Sequence, residues 1–356
     1  MFFQSNIGNC IKCNACTMAC PVVSIEGISV FSGPRNLCVD TARYGNAAAI
    51  LPSDVYRCTT CWKCEELCPQ SLPLAETILE LRKSIFDFNV LSDGHKKIIE
   101  NIDKYGRSIV PITQERKKYK VKKAPLLYFP GCISEMRITS IFDSTIRLLE
   151  RSGVKFGIPD EWVCCGAPLE KLGDSERLEF LRDRNLDYFD GFEDIVTSCP
   201  GCATHFLKYY DKDPLHTIEI VWEMMRKRKL VFKSRKKGLR VALHHPCHLN
   251  RTIGPQIIDQ AYDILQCVEG IEIIDLDKPD ACCGGGGAVV AGFPELALKL
   301  ATEKMLDALH HDVGLLLAPC PFCVLNLRRP GIGKVEDFAT FIERNLACKK
   351  EGDKKK

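Results

Sequence analysis

Two runs of four cysteines near the start of the chain share one spacing. Each run reads C-x2-C-x2-C-x3-C-P, at Cys10, Cys13, Cys16 and Cys20 before Pro21, and at Cys58, Cys61, Cys64 and Cys68 before Pro69. A loop and helix start of this kind wrap a [4Fe–4S] cube, and in two-cluster proteins the fourth cysteine ligates the other cluster. The predicted ligand sets are Cys10, Cys13, Cys16 and Cys68 for one cube, and Cys58, Cys61, Cys64 and Cys20 for the other. Zinc knuckles are the alternative, but they lack a third cysteine at the same short step.

Ten further cysteines form two sets of five. They are Cys132, Cys164, Cys165, Cys199 and Cys202, then Cys247, Cys282, Cys283, Cys320 and Cys323. Five donors exceed the four that a cube or a zinc ion needs, and adjacent residues of an extended chain point in opposite directions. The sets therefore favour a larger or less symmetric cluster. A redox-active disulfide at each adjacent pair would leave the other cysteines unexplained, and Cys38, Cys267 and Cys348 are expected to be buried or incidental thiols.

Glycines and histidines accompany the second set. Gly284, Gly285 and Gly286 follow its cysteine pair, and glycine lets the backbone approach a bulky cofactor closely. A nucleotide loop is the alternative, but the tract has neither G-x-G-x-x-G register nor a following Lys-Ser/Thr. His244, His245 and His248 flank Cys247. One of them could protonate a thiolate product, although a hydrogen-bonded scaffold around the cysteine loop is the favoured interpretation.

Composition limits the classes of protein that fit. No apolar signal segment precedes Cys10, so the 21 cysteines are expected to be reduced metal ligands in the cytoplasm, not disulfides. The longest apolar stretch, Val313 to Leu327, is too short to span a bilayer and is interrupted by Pro319 and Pro321. The formal charge of +3 becomes about −1 once two cubes and their thiolates are counted. The charge therefore does not favour nucleic-acid binding.

An internal repeat follows the ferredoxin-like runs. Equivalent cysteines of the two five-cysteine sets are 115, 118 and 121 residues apart, which indicates a duplicated domain. In each half, short apolar runs alternate with helical periodicity, which predicts α/β halves with small parallel sheets. The predicted helices are 141–149, 178–189, 257–265 and 296–309, and the predicted strands 154–158, 195–197, 271–276 and 313–317. The cysteines should then follow the carboxyl ends of strands.

The predicted fold class is α+α/β, with a helical two-cluster ferredoxin domain followed by two α/β domains. The apolar spacing of 74–88 predicts a helix at the end of the ferredoxin domain. The predicted ranges are 1–88 for the ferredoxin domain, 89–123 for a linker, 124–236 and 237–347 for the duplicated domains, and 348–356 for a charged tail. The basic stretches 115–123 and 226–237 are predicted to be solvated connectors.

At these motifs the chain resembles the D subunit of heterodisulfide reductase and its relatives with paired cysteine-rich CCG domains. The resemblance covers about residues 8–345 and rests on Arg57–Cys64, Tyr128–Cys132, His244–Leu249 and Cys282–Gly287. It implies a noncubane [4Fe–4S] cluster in each five-cysteine set, with the disulfide of coenzyme M and coenzyme B cleaved between the two. The spacer between the cysteine pair and C-x2-C is 33 residues in the first half and 36 in the second. Because some relatives carry zinc or a degraded first site, zinc remains an alternative there.

The leading functional hypothesis is an enzyme that reduces a heterodisulfide or similar small-molecule disulfide. One alternative is the electron-transfer subunit of a flavin-dependent glycolate, lactate or glycerol-3-phosphate dehydrogenase, and another is a zinc-stabilised interaction scaffold. The chain has no G-x-G-x-x-G for a dinucleotide, so electrons must come from a partner. The resemblance implies a membrane cytochrome b or a soluble flavoprotein or hydrogenase complex as that partner. The expected location is the cytoplasm, including the inner face of the membrane through such a partner.

Overall fold

The structure is a computed structural model that describes residues 6–40, 52–112, 119–159, 161–227, 232 and 237–346. Cys348 and the tail 348–356 lie outside these ranges, as do parts of both basic connectors. Among the described helices, none is both long and apolar enough to cross a lipid bilayer.

The N-terminal module is helical, as the sequence predicts. Its described helices are α1 Ala15–Met18, α2 Pro21–Glu26, α3 Gly33–Arg35, α4 Pro52–Arg57, α5 Lys63–Glu66, α6 Leu74–Ile85 and α7 Asp93–Tyr105. Tighter 3-10 turns lie at Ile7–Asn9 and Phe86–Phe88, and a π turn lies at Asn36–Asp40. Leu74, Ile78 and Leu81 are buried along α6, and their periodicity is the signal that predicted this helix.

Helix α7 lies inside the segment that we predicted to be a linker. Its sequence is mostly charged, but Ile102 is buried and Ile98 and Ile99 pack against the core of the first α/β half. His95 is also buried, and Ser92 caps the start of the helix by accepting a hydrogen bond from the His95 N–H. A single narrow apolar face is enough to dock the helix. The overall polarity of the segment concealed this face in the sequence.

Two α/β halves follow. The first contains β1 Ala124–Phe129, α8 Cys132–Met136, α9 Thr139–Ser152, β2 Phe156–Gly157, α10 Ala167–Leu172, α11 Ser175–Phe189, β3 Phe192–Thr197, α12 Pro200–Tyr209, β4 Leu215–His216 and α13 Thr217–Arg226. The second contains β5 Leu239–Leu243, a π turn Leu249–Ile253, α14 Gln256–Gln266, β6 Ile271–Ile273, α15 Val289–Gly292, α16 Pro294–His310, β7 Leu315–Ala318, α17 Pro321–Leu327, β8 Val335–Asp337 and α18 Phe338–Arg344.

Both sheets have four parallel strands in the same order. The orders are β2-β1-β3-β4 and β6-β5-β7-β8. The predicted fold class, including the duplication and the small parallel sheets, is therefore confirmed. The two outer strands β4 and β8 were not predicted, because two or three residues do not form a recognisable apolar pattern.

The central strands of each sheet end just before cysteines. β1 and β3 run into Cys132 and Cys199, while β5 and β7 run into Cys247 and Cys320. Carboxyl ends of neighbouring parallel strands meet at one sheet edge, where open α/β folds bind ligands. The topology therefore brings distant cysteines of each half to one place.

The halves contact each other reciprocally. Helix α9 of the first half packs on α18 of the second, and the equivalent pair, α14 and α13, also packs together. Likewise α8 contacts α17, and the π turn Leu249–Ile253 contacts α12. Such exchange of equivalent contacts is typical of a two-fold arrangement. Because α8, α12 and α17 carry cysteines, the cysteine-bearing elements of the two halves pack against one another.

Candidate metal centres

The two ferredoxin loops adopt the same conformation. Left-handed backbone occurs at matching positions, namely Lys12, Asn14, Thr60 and Trp62. The N–H two residues after the first cysteine donates to its sulfur in both loops, at 3.4 Å from Cys10 and at 3.4 Å from Cys58. Left-handed backbone is costly for residues other than glycine and persists where the surroundings require it. The repeated geometry therefore curls each loop around its own thiols.

The fourth cysteine of each run lies near the other run. Cys10, Cys13, Cys16 and Cys68 line one cavity. Burial, followed by the nearby Cys58 and Cys61, raises the pKa of Cys20 to about 12. The structure thus brings together the thiols of each set that the spacing predicted. Of the leftover cysteines, Cys38 is fully buried and Cys267 is exposed.

All five thiols of the first α/β site are buried. They are Cys132, Cys164, Cys165, Cys199 and Cys202. The Sγ atoms of Cys165 and Cys202 are 3.4 Å apart, and hydrogen bonds from Cys164 and then Cys202 lower the pKa of Cys165. The Tyr210 hydroxyl donates to the Cys165 carbonyl at 2.8 Å, and the Asn185 amide donates to the Cys164 carbonyl at 3.1 Å. These bonds fix the backbone of the cysteine pair.

The second α/β site has a similar arrangement with different supports. Its Cys283 and Cys323 Sγ atoms are 3.1 Å apart. A hydrogen bond from Cys323, opposed by burial and assisted by His244, holds the pKa of Cys283 well below its usual value. The Asn326 amide donates to the Cys283 carbonyl at 2.6 Å. Cys247, Cys282 and Cys320 complete the set. Burial, followed by the nearby Cys61, Cys283 and Cys320, raises the pKa of Cys247.

The three histidines around Cys247 have different environments. His245 Nε2 lies 3.0 Å from the Tyr262 hydroxyl, which fits the scaffold interpretation. His248 Nδ1 lies 3.4 Å from Cys247 Sγ, and its ring meets Trp62 edge-on at 5.2 Å. Burial lowers the pKa of His248 to about 3 and that of His245 to about 4, so both are neutral at neutral pH. His244 is buried among sulfur atoms, within 4.8 Å of Cys283 and Cys323.

The glycine tract brings the ferredoxin module against the second site. A Cβ at Gly286 would lie 2.6 Å from the Thr59 carbonyl oxygen, and one at Gly287, where φ is +64°, would overlap the Cys58 carbonyl. The Thr59 hydroxyl lies 3.4 Å from Cys282 Sγ. We predicted close approach of a cofactor here, and the structure adds a second physical reason: backbone from another domain occupies that space. Gly284 still faces the site, since its N–H donates to Cys282 Sγ at 3.3 Å.

Arg82 joins all three domains. Its side chain is fully buried and donates to the carbonyls of Val55 and Cys58 in the ferredoxin module, Lys171 in the first half and Gly287 in the second. Sequence reasoning did not single out Arg82, because an arginine on an amphipathic helix is usually solvated. Its position four residues after Ile78, on the apolar side of α6, is the available signal.

Ion pairs reinforce the same contact. Arg251, on the π turn after Cys247, pairs with Glu66 at 2.8 Å and with Asp280, and donates to the Cys61 carbonyl at 3.3 Å. Lys63 pairs with Asp280 at 2.9 Å. Charges on both sides of the boundary are therefore neutralised by the other domain. The loop of the second ferredoxin run is held directly on the second five-cysteine site.

A cavity of about 630 Å³ adjoins the first site. Its lining includes Arg107, Arg177 and Arg184. The Arg107 guanidinium lies 3.5 Å from the centre of the Trp162 ring, and it partly offsets the rise in the pKa of Cys132 that the hydrogen bond with Cys164 and burial cause. Asp103, Glu135 and Glu161 also line the cavity, and Asp103 pairs with Arg177 at 2.8 Å. The lining therefore carries charges of both signs.

The donor sets fit iron–sulfur clusters. The thiols of each set lie close together, and in three hydrogen-bonded pairs the pKa of one sulfur is lowered while that of its partner is raised. The lowered thiols are Cys61, Cys165 and Cys283, and their raised partners are Cys282, Cys202 and Cys323. Several buried thiolates at one place need a bound metal to offset their charge. All-sulfur donor sets favour iron–sulfur clusters or zinc, and the five-thiol sets exceed a tetrahedral zinc site.

The fold and the donor sets define an iron–sulfur protein with a two-cluster ferredoxin module and two cysteine-rich domains. A family model described as a 4Fe-4S dicluster domain matches residues 6–72, and one described as a cysteine-rich domain, CCG, matches residues 126–207 and 241–328. The chain belongs to the family of iron–sulfur proteins that includes the D subunit of heterodisulfide reductase. The resemblance identified from the motifs is thereby confirmed.

Individual relatives align along most of the chain. The B subunit of a fumarate reductase (CoM/CoB) from Methanothermobacter marburgensis is 30% identical over 92% of this chain and 69% of its own length. The D subunit of a dihydromethanophenazine:CoB–CoM heterodisulfide reductase from Methanosarcina acetivorans is 26% identical over 90% of this chain and 88% of its own. The crystal structure of a hypothetical protein from Helicobacter pylori aligns with a TM-score of 0.58 at 11% identity, covering 93% of this chain and 72% of that one. This last likeness concerns the fold alone.

Proposed function

We propose that this chain is the iron–sulfur subunit of a reductase that cleaves a small-molecule disulfide of the coenzyme M–coenzyme B type to two thiols. Each five-cysteine set would hold a noncubane [4Fe–4S] cluster, and each ferredoxin set a cube. Two relatives carry this thiol pair in their names, one as a heterodisulfide reductase and one as a fumarate reductase (CoM/CoB). Both are named as subunits, which supports the need for a partner.

The observation that carries the proposal is the completeness of both five-cysteine sets. Each set lies at the carboxyl edge of its own sheet, and the helices bearing the sets pack on one another across the two halves. Phe322, beside Cys323, packs against the cores of both halves. A subunit that only conducts electrons needs no second complete site. Two complete sites suit a substrate that splits into two similar parts.

The reaction takes two electrons and two protons, breaks one S–S bond and forms two S–H groups. When bound, iron clusters exchange single electrons and attract sulfur as Lewis acids. The residues of this chain supply the rest. Each sheet edge holds its own five-cysteine set together, burial of most of these thiols limits access of water, and hydrogen bonds from Tyr210 and Asn326 fix the two cysteine pairs.

Electrons would enter through the ferredoxin module. The contact of Thr59 with Cys282 brings the second ferredoxin loop to the second five-cysteine site. Cys61 is also hydrogen-bonded to Cys282, and this bond is the main cause of its lowered pKa. The donor would be a membrane cytochrome b or a soluble flavoprotein or hydrogenase complex, as the family resemblance implies.

Anaerobically prepared full-length protein tests the proposal by metal content and by turnover. We expect about sixteen irons per chain with little zinc, and oxidation of a reduced viologen dye by the heterodisulfide. Cys164→Ser and Cys282→Ser should each abolish turnover, because each breaks one five-cysteine set. Cys267→Ser is the matched control, since Cys267 is exposed and outside both sets.

The competing functions give different results in the same preparation. Full iron content without disulfide turnover would favour an electron-transfer subunit. About eight irons with zinc in the cysteine-rich halves would leave the ferredoxin module as the only redox part, and the proposal would then be wrong. Equal turnover in Cys164→Ser and wild type would contradict a role for the first site.

A further inference from the structure

His244 has a buried polar side chain for which the proposed function gives no role. It is 1% exposed, and neither ring nitrogen has a hydrogen-bond partner among the described residues. Burying an imidazole without a partner costs free energy comparable to a lost hydrogen bond. A native fold retains such a group when the missing partner is supplied by something bound. The nearest candidates are the sulfur atoms of Cys283 and Cys323, within 4.8 Å of the ring.

We propose that His244 is a positioning residue of the second five-cysteine site, whose ring N–H donates a hydrogen bond to the Cys283 sulfur when that thiolate binds its cluster. This inference rests on the proposed function, because it takes both five-cysteine sites to hold clusters. The backbone prepares the geometry, since the His244 N–H donates to the Leu317 carbonyl at 2.8 Å. This bond extends the pairing of β5 with β7 and fixes the direction of the side chain.

The first half has a hydrocarbon at the equivalent position. His244 precedes Cys247 by three residues, and Phe129 precedes Cys132 by three. The Phe129 ring is fully buried and meets the edges of Trp162 and Phe206 at 4.9 Å each. A phenyl ring cannot donate a hydrogen bond to sulfur. At this position, therefore, only the second of the duplicated sites has a side-chain donor.

This difference should separate the reduction potentials of the two sites. Hydrogen bonds to cluster sulfurs raise the reduction potential, because each reduction adds one electron and one negative charge that an N–H stabilises. The second site should therefore be reduced before the first. It is also the site that contacts the ferredoxin loop, through Thr59. The first electron from the ferredoxin module would stay on the second site. The second electron would then provide the two electrons that cleavage of the disulfide takes.

Redox titration of the anaerobic full-length protein, followed by EPR, tests this assignment. We expect His244→Phe to lower one midpoint potential by about 59 mV, which is a tenfold change in a one-electron equilibrium constant. The other potentials should stay constant. His245→Phe is the matched control, because the same substitution one residue away removes only the contact with Tyr262. His244→Asn and His244→Gln each retain an N–H, and at least one of them should restore most of the lost potential.

Direct spectroscopy of the wild-type protein gives a second, independent readout. Pulsed EPR of protein labelled with ¹⁵N-histidine, in the wild type and in His248→Phe, should show weak ¹⁵N coupling and a proton near the second cluster that disappears after exchange into D₂O. The histidine label separates His244 from the backbone N–H groups of Gly284 and Gly285, which also donate to cysteine sulfurs, and His248→Phe removes the ring beside Cys247. Strong nitrogen coupling would mean that His244 ligates iron, and absence of weak histidine coupling would mean that it makes no hydrogen bond; both results overturn the inference. Because His244 is unaltered in both samples, these measurements decide the matter even if every His244 variant loses its clusters.

Failure of the inference is distinguishable from failure of the proposed function. About sixteen irons and normal disulfide reduction, combined with unchanged potentials in His244→Phe, would overturn only the role of His244. A chain with about eight irons, or one without disulfide turnover, would remove the proposed function itself. If His244→Asn and His244→Gln both had full iron content but neither restored the lost potential, this result would also count against the hydrogen bond.

Discussion

Arg82 provides the sharpest test of how the three domains are held together. Its guanidinium makes five hydrogen bonds of 2.6 to 3.1 Å to four carbonyls, and the side chain is fully buried. The nearby Tyr56 ring, 5.1 Å from the guanidinium, adds a cation–π contact. No carboxylate hydrogen-bonds to Arg82 in the described residues, so the carbonyl dipoles are its only hydrogen-bond acceptors there, and Glu170 acts on its charge from a greater distance. Replacing Arg82 by Met keeps a long apolar side chain and removes every donor.

The expected cost follows from these contacts. Hydrogen bonds to charged groups contribute about 1.5–3 kcal/mol each, but burying a guanidinium costs several kcal/mol. Breaking such a buried charged network typically costs about 3–5 kcal/mol net. We adopt about 3 kcal/mol for Arg82→Met, which corresponds to about a hundredfold change in a local opening equilibrium.

Hydrogen exchange of the anaerobic protein measures that opening directly. Val289 and Phe293 have amides hydrogen-bonded within the second half, and both side chains belong to the apolar cluster shared with the ferredoxin module. We expect their amides to exchange about a hundredfold faster in Arg82→Met. Lys97→Met is the control, because its ion pair with Glu100 is exposed on both sides and worth little. Exchange at the wild-type rate in Arg82→Met would refute the assignment of Arg82 as the link between domains.

Three further predictions concern single contacts. Gly287→Ala places a Cβ against the Cys58 carbonyl in left-handed backbone and should lower the thermal unfolding temperature by several degrees. An unchanged temperature would show that the backbone at Cys58 can move away from the new Cβ without loss of stability. Thr59→Val removes the hydroxyl beside Cys282 Sγ with little change of volume, so the potential of the second site should fall while iron content is constant; an unchanged potential would argue against this contact. Burial raises the pKa of Asp337 to about 7, so the stability that its protonated form contributes should be lost as pH rises from about 4 to 7. Chemical denaturation should show the free energy of unfolding of the wild type falling relative to that of Asp337→Asn over this range; a pH-independent difference between the two would contradict it.

The site was predictable where a short stretch of chain carries all the information. The third cysteine at a short step distinguishes a cluster loop from a zinc knuckle, and the repeated offset revealed the duplication. The small parallel sheets followed from alternating apolar runs and helical periodicity, whereas the order of their strands was not predicted. The short outer strands β4 and β8 and the docking of α7 were missed. Their stability comes from neighbours that are distant in the chain, so their own residues show no clear pattern.

By itself the sequence determined the local chemistry of this protein: which thiols group by spacing, where most of the longer helices and several of the strands lie, and that the α/β half occurs twice. Only the tertiary structure decided which of the two similar sites meets the ferredoxin loop. That contact joins Thr59 to Cys282, which are 223 residues apart. It depends on Arg82, which supplies the hydrogen-bond donors, and on Gly287, which has no side chain and so leaves room for the Cys58 carbonyl. The orphaned ring of His244 is also visible only in the fold. Local spacing reflects bonds along the chain, whereas burial and unmet hydrogen bonds exist only after distant segments have packed.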